Sequence, residues 1–411
     1  MLKLNDKYIK LVNETEKELS AIFSSIDKNT YFSSKKVLDA FHEVNISESD
    51  LFGTSGYGYN DTGRDKIEKI FSYVLDSEDA LVRTQIISGT HAISTALFAI
   101  LRPGDTLLAI SGTPYDTLHE VIGIKPNNSS LISYGINYKE INLINNDFDY
   151  ERIQEELKNN IKAIHIQRSR GYSLRESLTI EKLEKVIKFI KEINKDVIIF
   201  VDNCYCEFVE TTTPTLVGAD LMAGSLIKNL GGGIARNGGY IAGRHDLIEL
   251  CAERLNVPGE GREVGPSGNA NREFLQGLYF APSVVSSALK TSILTSKVLD
   301  KLGYEVHPTY NEKRADIVQL IYFRNENNII KYAEGMQGAG AIDANVSPIP
   351  ADMPGYDDKI IMASASFVQG SSIEISCDGP LKEPYVLFQQ GSLTYDYGKI
   401  ALINAISKLN E

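Results

Sequence analysis

Apolar and polar positions change their period several times along this chain. Over the first fifty residues Leu2, Leu4, Ile9 and Leu11 stand among charges every few positions, the spacing of an amphipathic helix. A glycine-rich stretch, Gly53-Thr-Ser-Gly-Tyr-Gly-Tyr-Asn-Asp-Thr-Gly63, then interrupts the pattern before another helical segment, and is read as a functional loop. From about residue 80 short β-rich runs alternate with helical ones. Gln85–Ile87 leads into a helix at His91–Leu101, Leu107–Ile110 follows, Ala163–Ile166 precedes a helix at Ile180–Ile193, and Val197–Val201 comes next. Such alternation predicts an α/β fold of βαβ units with a mainly parallel sheet. Ala219–Ser225 and Gly239–Ala242 flank the densest glycine cluster, Gly231-Gly-Gly233, and a long helical pattern from about Ser283 to Leu302 leads into a smaller α+β region.

The length of 411 residues suits about two or three such units. Forty-two basic against 54 acidic residues give a net charge of −12, a field that repels a phosphate backbone and argues against nucleic acid as a partner. Four cysteines, Cys204, Cys206, Cys251 and Cys377, are too few for a disulfide scaffold and suit a reducing, cytoplasmic setting. Charges through the first twenty residues argue against an export signal, and the longest apolar runs fall far short of the roughly 20 residues that span a bilayer.

Several common signatures fail on spacing. GGGIARNGG does not fit G-x-G-x-x-G, no G-x-x-x-x-G-K-[ST] string exists, and Gly265-Pro-Ser-Gly268 is one residue short of a nucleophile elbow. The six histidines are scattered, so no metal site is expected. Three other features make chemical sense together. Ser88-Gly89-Thr90-His91, between a strand and a helix, offers amides and a hydroxyl to an anion such as a phosphate. Val197–Val201 ends in Asp202, a carboxylate at the tip of a buried parallel strand, where ligands of open α/β sheets bind. Lys228, after an apolar strand and before Gly231-Gly-Gly233, is an amine whose pKa desolvation would lower enough to attack a carbonyl. A phosphate site, a strand-end Asp and a downstream Lys are the parts that pyridoxal 5′-phosphate requires. Cys204 and Cys206, just after Asp202, are expected to be buried and structural.

The strings GTSGYGYNDTGRD, SGTHAIS, LRPGD, GTPYDT, QRSRGYSLR, VDNCYCEF, AGSLIKNLGGGIA and ASFVQGSSIEISCDGP carry a resemblance over nearly the whole chain. The sequence resembles the pyridoxal-phosphate enzymes of fold type I in Cys/Met metabolism, within the methionine γ-lyase family and its cystathionine β-lyase-like aluminium resistance branch. The resemblance implies a helical arm at 1–50, a cofactor-binding domain at 51–290 and a small domain at 291–411. It also implies that Lys228 holds the cofactor covalently and moves protons, that Asp202 pairs with the ring nitrogen, and that Tyr115 stacks on the ring. Gly89, Thr90 and Ser225 would form the phosphate cup, with His91 either near the ring or packed at the helix start. Tyr57, Tyr59 and Arg64 look like the loop that reaches the phosphate of a neighbouring subunit, which implies a homodimer or homotetramer with shared active sites.

One departure stands out. Enzymes of this fold commonly bind the substrate carboxylate with an Arg of the small domain, yet no Arg occurs from Asn325 to Glu411. Arg168 and Arg170 are the favoured replacements, with Arg175, Arg236 and Arg262 behind them. The expected activity is a carbon–sulfur lyase acting on a sulfur amino acid to give thiol, ammonia and a 2-oxo acid. Transamination, a replacement reaction or a non-catalytic cofactor-binding stress protein are the alternatives.

Overall fold

A computed structural model describes residues 2–353 and 358–410. Seven strands form the larger sheet: β1 (Asp79–Arg83), β2 (Thr106–Ala109), β3 (Asn137–Glu140), β4 (Ala163–Gln167), β5 (Ile198–Asp202), β6 (Leu221–Ser225) and β7 (Gly239–Gly243). Their order is β1-β7-β6-β5-β4-β2-β3. The run from β3 to β6 is parallel, and β7 lies antiparallel to both β6 and β1. β4, β5, β6 and β7 are buried at every position, as strands covered by helices on both faces must be. The helix Ile180–Ile193 shows how the covering works. Thr179 caps it, and Leu183, Val186, Ile187 and Ile190 turn inward at helical spacing.

Most expected elements are present, with shifted ends. The helix Gly89–Ile100 begins two residues before the expected start, at the Ser88 cap. Gln85–Ile87, expected as a strand, is not one: the strand is β1, and Ile87 is exposed. The charges bounding β1 hide it in the sequence; Arg83 is buried there because Glu68 accepts its Nε at 2.7 Å and the Val264 carbonyl accepts Nη1. β3 is an edge strand of charged and polar residues, NYKE, which carries no apolar signal. The long helix runs over Ala270–Lys301, thirteen residues more at its start than expected, because Gly277 and Pro282 mask it.

Five antiparallel strands make the second sheet: β8 (Glu305–His307), β9 (Gln319–Tyr322), β10 (Ile360–Ser364), β11 (Ser376–Pro380) and β12 (Val386–Gln390), in the order β10-β11-β12-β9-β8. Helix Glu326–Gly338 packs on it, and Tyr395–Leu409 packs against that helix and the long helix Ala270–Lys301. The N-terminal helix Asp6–Glu18 joins this smaller core through Tyr8 and Val12, which cluster with Val298, Leu299, Leu402 and Ile406. The four cysteines are buried and unpaired. Among the described residues no helix is long and apolar enough to cross a membrane.

Candidate active site

The C-terminal ends of the parallel strands converge on one pocket, where ligands of open α/β sheets bind. β5 delivers Asp202 at its last position, and the turn after β6 delivers Lys228. The helix Gly89–Ile100 points its first turn between them, and the loop after β2 brings Tyr115. Gly89, Thr90, Tyr115, Asp202 and Lys228 all line this pocket, with Thr117, Gln167, Cys204 and Tyr205. Ser225, at the end of β6, does not line the pocket but lies behind Gly89: a Cβ on Gly89 would stand 3.3 Å from the Ser225 Cβ and 3.1 Å from the Cys204 sulfur. A side chain at position 89 would therefore press on the strand ends that the helix start approaches.

Those first-turn amides have no partners within their helix. Ser88 Oγ accepts only the His91 N–H, at 3.1 Å, leaving Gly89 and Thr90 facing the pocket. The Thr90 hydroxyl lies 2.7 Å from that of Thr117. Asp202 accepts the Cys204 N–H at 3.1 Å and is itself buried. The Lys228 Nζ sits 4.0 Å from the centre of the Tyr205 ring. Tyr205 adopts φ of 72°, a left-handed backbone that costs a bulky residue about 1 kcal/mol, and this turn places its ring beneath the amine. The Tyr115 N–H donates to Gln167 Oε1 at 2.7 Å, and its ring tilts against Tyr172 at 6.1 Å.

The electrostatics depart from expectation at Lys228. Burial disfavours its charge, but Cys204, Tyr205, Asp202 and Glu207 surround the amine and hold its pKa above the usual lysine value rather than below. Of these we take the Asp202 carboxylate as the source, because burial pushes the Cys204 thiol well up and raises Tyr205, leaving both neutral. The lowering inferred from desolvation alone thus requires another cation against Asp202. Glu207 lies buried nearby, pushed up to about 7 by burial, with Oε1 accepting the Tyr240 hydroxyl at 2.8 Å and Oε2 lacking a partner among the described residues.

These residues fit pyridoxal 5′-phosphate on their own chemistry. A primary amine, a carboxylate at the tip of a strand, unbonded helix amides with hydroxyls, and an aromatic wall surround one pocket.

Other expected residues lie elsewhere. The His91 Nδ1 accepts the Ile87 N–H at 3.2 Å, so its ring folds back over the helix start and does not line the pocket. Tyr57 and Tyr59 are exposed and stacked, 5.4 Å apart. Arg64 is buried, donating to the Gly58 and Gly265 carbonyls at 2.8 and 3.1 Å and pairing with Asp65; it braces its own loop. Arg168 does not reach the substrate side. Its three donors go to the Leu178 carbonyl, Asn203 and Glu210 behind the sheet. Arg236 pairs with Glu273 at the surface. Arg262 bonds Asp79 and Glu249, and so occupies the one His/Asp/Glu cluster of metal-binding spacing found among the described residues, Asp79, His245 and Glu249.

Arg170 behaves differently. It lines a larger cleft that shares Tyr115 and Gln167 with the pocket and continues past Tyr172 and Arg175 toward Ile360, Pro380 and Lys382 of the smaller domain. Among the described residues its guanidinium is ion-paired only with Asp316, with Nε at 3.6 Å, and that Nε has no hydrogen-bond partner. Arg314, also buried, leaves Nε and Nη1 without partners among the described residues, and burial together with the Arg170 charge pulls it down to about 9. Arg314 Nη2 donates to the Pro308 carbonyl and to Gln319 Oε1, and among the described residues Asp316 is ion-paired with Arg170 alone. Arg314 and Asp316 escaped the sequence reading, although Arg-Ala-Asp before the apolar run of β9 was a signal within reach.

Comparison with known proteins agrees with this geometry. The chain is 45% identical over 403 residues, 97% of its length and 96% of the relative's, to the uncharacterized protein YnbB of Bacillus subtilis. A crystal structure of a carbon–sulfur lyase involved in aluminum resistance from Clostridium novyi superposes with a TM-score of 0.94 at 46% identity, covering 98% of this chain and 96% of that one. A Listeria monocytogenes protein described as a candidate cystathionine beta-lyase involved in aluminum resistance gives 0.96 at 47% identity, over 97% and 99% of the two chains. Cystathionine gamma synthase from Xanthomonas oryzae, at 15% identity and a TM-score of 0.60 over 85% and 86%, shares the fold. The methionine gamma-lyase family model matches residues 8–410, and the chain belongs to that family of pyridoxal 5′-phosphate-dependent carbon–sulfur lyases.

Proposed function

We propose that the protein eliminates a thiol from the β- or γ-carbon of a sulfur-containing amino acid, giving ammonia and a 2-oxo acid. The observation that carries this reading is the meeting of Lys228, Asp202, Tyr115 and the Gly89–Thr90 amides in one pocket, inside a chain of this family. When bound, pyridoxal 5′-phosphate supplies an electron sink for the charge left at Cα. Asp202 would hold the ring nitrogen, Gly89, Thr90 and Ser225 the phosphate, and Tyr115 one ring face. Lys228 takes the proton from the substrate Cα and returns it later, and its buried setting keeps water from competing. Arg170 would bind the substrate carboxylate: it lines the cleft, and its Nε has no hydrogen-bond partner among the described residues. The exposed Tyr57–Tyr59 pair lies outside the pocket of its own chain, as expected of residues that complete a neighbour's site in a homodimer or a tetramer of dimers.

The test is direct. The purified protein should show a visible absorbance band that borohydride removes, and cystathionine, cysteine, methionine and homocysteine should be supplied in turn with identification of the keto acid. Pyruvate from cysteine or cystathionine reports β-elimination, and 2-oxobutyrate from methionine or homocysteine reports γ-elimination. Lys228→Ala should abolish the borohydride-sensitive band and lower turnover by about 10³-fold or more. A protein that holds the cofactor yet releases neither thiol nor keto acid from any of the four is not this lyase.

A further inference from the structure

Tyr205 lines the pocket with Lys228 but has no role in the chemistry assigned so far. It lies on the turn that leaves β5, just after Asp202, and carries the left-handed φ of 72°. A bulky residue keeps such a backbone only where its surroundings hold it there. Two contacts do so. The Ser372 hydroxyl, from the smaller domain, donates to the Tyr205 oxygen at 3.0 Å, and the Tyr205 side chain packs against the apolar cluster of Val285, Leu289, Ile317 and Ile373. Ser372 is fixed in turn, since the carbonyl of the next residue, Ile373, accepts the Ser392 N–H at 2.9 Å. The ring held in this way turns its face to Lys228, whose Nζ stands 4.0 Å from the ring centre. Among the described residues the amine has no side-chain hydrogen bond and no carboxylate within 4.0 Å, so the ring face is the group that meets it. Asp202 acts on the amine from beyond contact distance.

We propose that Tyr205 is the positioning residue of the active-site amine: the face of its ring receives the Lys228 ammonium and holds it in the pocket, a role that rests on Lys228 being the base of the lyase reading above. When the neutral amine takes the proton from the substrate Cα, the C–H electron pair stays with the substrate and the nitrogen becomes a cation. The negative face of an aromatic ring attracts that cation and not the neutral amine, so the ring favours the transfer and keeps the ammonium in place until the proton is returned. No bond to Tyr205 forms or breaks. The attraction belongs to the uncharged ring and adds to that of the Asp202 carboxylate. The hydroxyl serves as the anchor to Ser372. The other titratable groups acting on the amine are Asp202, Cys204 and Glu207, on β5 and the turn after it, and Asp378 of β11; changes confined to the Tyr205 ring leave all four in place.

The experiment grades the ring without changing its shape. Tyr205→Phe is the reference, and phenylalanines bearing one, two and three ring fluorines, which drain the negative face stepwise, are incorporated at the same position. Each full-length protein is loaded with 4′-deoxypyridoxine 5′-phosphate, which lacks the aldehyde and leaves Lys228 a free amine. The Lys228 pKa is then read by NMR of 13C-labelled lysine, its signal identified by its loss in Lys228→Ala. It should fall with each fluorine, by about one unit over the series. In the holoenzyme, exchange of the substrate Cα hydrogen with deuterated solvent should slow by about tenfold in Tyr205→Leu and by about threefold or less in Tyr205→Phe, in kcat rather than KM. A pKa that ignores the fluorines, or a loss in Tyr205→Phe as large as in Tyr205→Leu, overturns the ring's role and leaves the lyase reading intact. A wild type that exchanges no Cα hydrogen with any of the four amino acids overturns the lyase reading, while the fluorine series still decides whether the ring holds the amine.

Discussion

His165 lies wholly inside the larger sheet, with both ring nitrogens lacking partners among the described residues and its ring 5.8 Å from Phe200. Burial holds its pKa down at about 4, so the folded protein keeps the imidazole neutral while an unfolded chain protonates it near 6.5. Between those values the unfolded state binds more protons, and stability falls as pH drops through the window, by at most about 3 kcal/mol. Glu207 and Asp378, both pushed up to about 7, act with the opposite sign and favour the folded state less as pH rises from about 4 to 7. His165→Leu isolates the histidine: its urea-unfolding free energy should decline less than that of wild type on acidification from about pH 6.5 to 4.5. Equal declines would show that His165 does not drive the acid sensitivity. At this scale the sequence located Lys228 and Asp202 because each is a polar residue ending an apolar run. It could not separate Arg168 from Arg170. The chain leaves β4 at Gln167 and turns, sending one guanidinium behind the sheet and the other into the cleft.

The turn that carries Lys228 is held by the long helix Ala270–Lys301 through direct backbone approach. A Cβ on Gly277 would come within 2.4 Å of the Gly231 carbonyl oxygen, and one on Gly232, at φ of 54°, within 2.4 Å of the Gly277 carbonyl. Alanine is the better helix former by about 1 kcal/mol, but the clash is with backbone and cannot be relieved by a side-chain rotation. Gly277→Ala should therefore destabilise by about 1–3 kcal/mol net in urea unfolding, and weaken cofactor retention by displacing Lys228. A neutral or stabilising result would mean that the turn and helix can slide apart without cost. The element pattern itself was largely legible, since the helix Ile180–Ile193 and the strands β5 to β7 carry strong periodicity. β1 and β3 were not, because ion pairs and edge position replace apolar alternation there.

On the scale of the molecule, exposed aromatics on and near the glycine-rich loop bear on the proposed shared site. Phe52, Tyr57, Tyr59, Tyr279 and Phe280 are all exposed, and the loop bearing the first three is tied to the segment opening the long helix: the Gly265 N–H donates to the Tyr57 carbonyl at 2.9 Å, and Asn271 donates to that of Phe52. Sedimentation velocity at micromolar concentration should give at least twice the 45.5 kDa chain mass. Replacing Tyr57 and Tyr59 together by alanine should weaken cofactor affinity by about tenfold. A fully active monomer would sink the shared-site arrangement. The division of the chain also looks different from this distance: residues 1–50 were expected as an arm, yet Tyr8 and Val12 pack within the core of the smaller domain.

By itself the sequence determined the α/β class, the order of most strands and helices, and the three local features around Gly89, Asp202 and Lys228, because each depends on periodicity or on residues near one another in the chain. Tertiary structure decided the rest. Only packing shows that Arg64 is bound to its own loop, that His91 turns away, and that Asp202 raises the Lys228 pKa against the effect of burial. Only packing joins Arg170 to Asp316, 146 positions further on. Electrostatic influence and hydrogen bonding fall off with distance in space, and a linear sequence carries no measure of that distance.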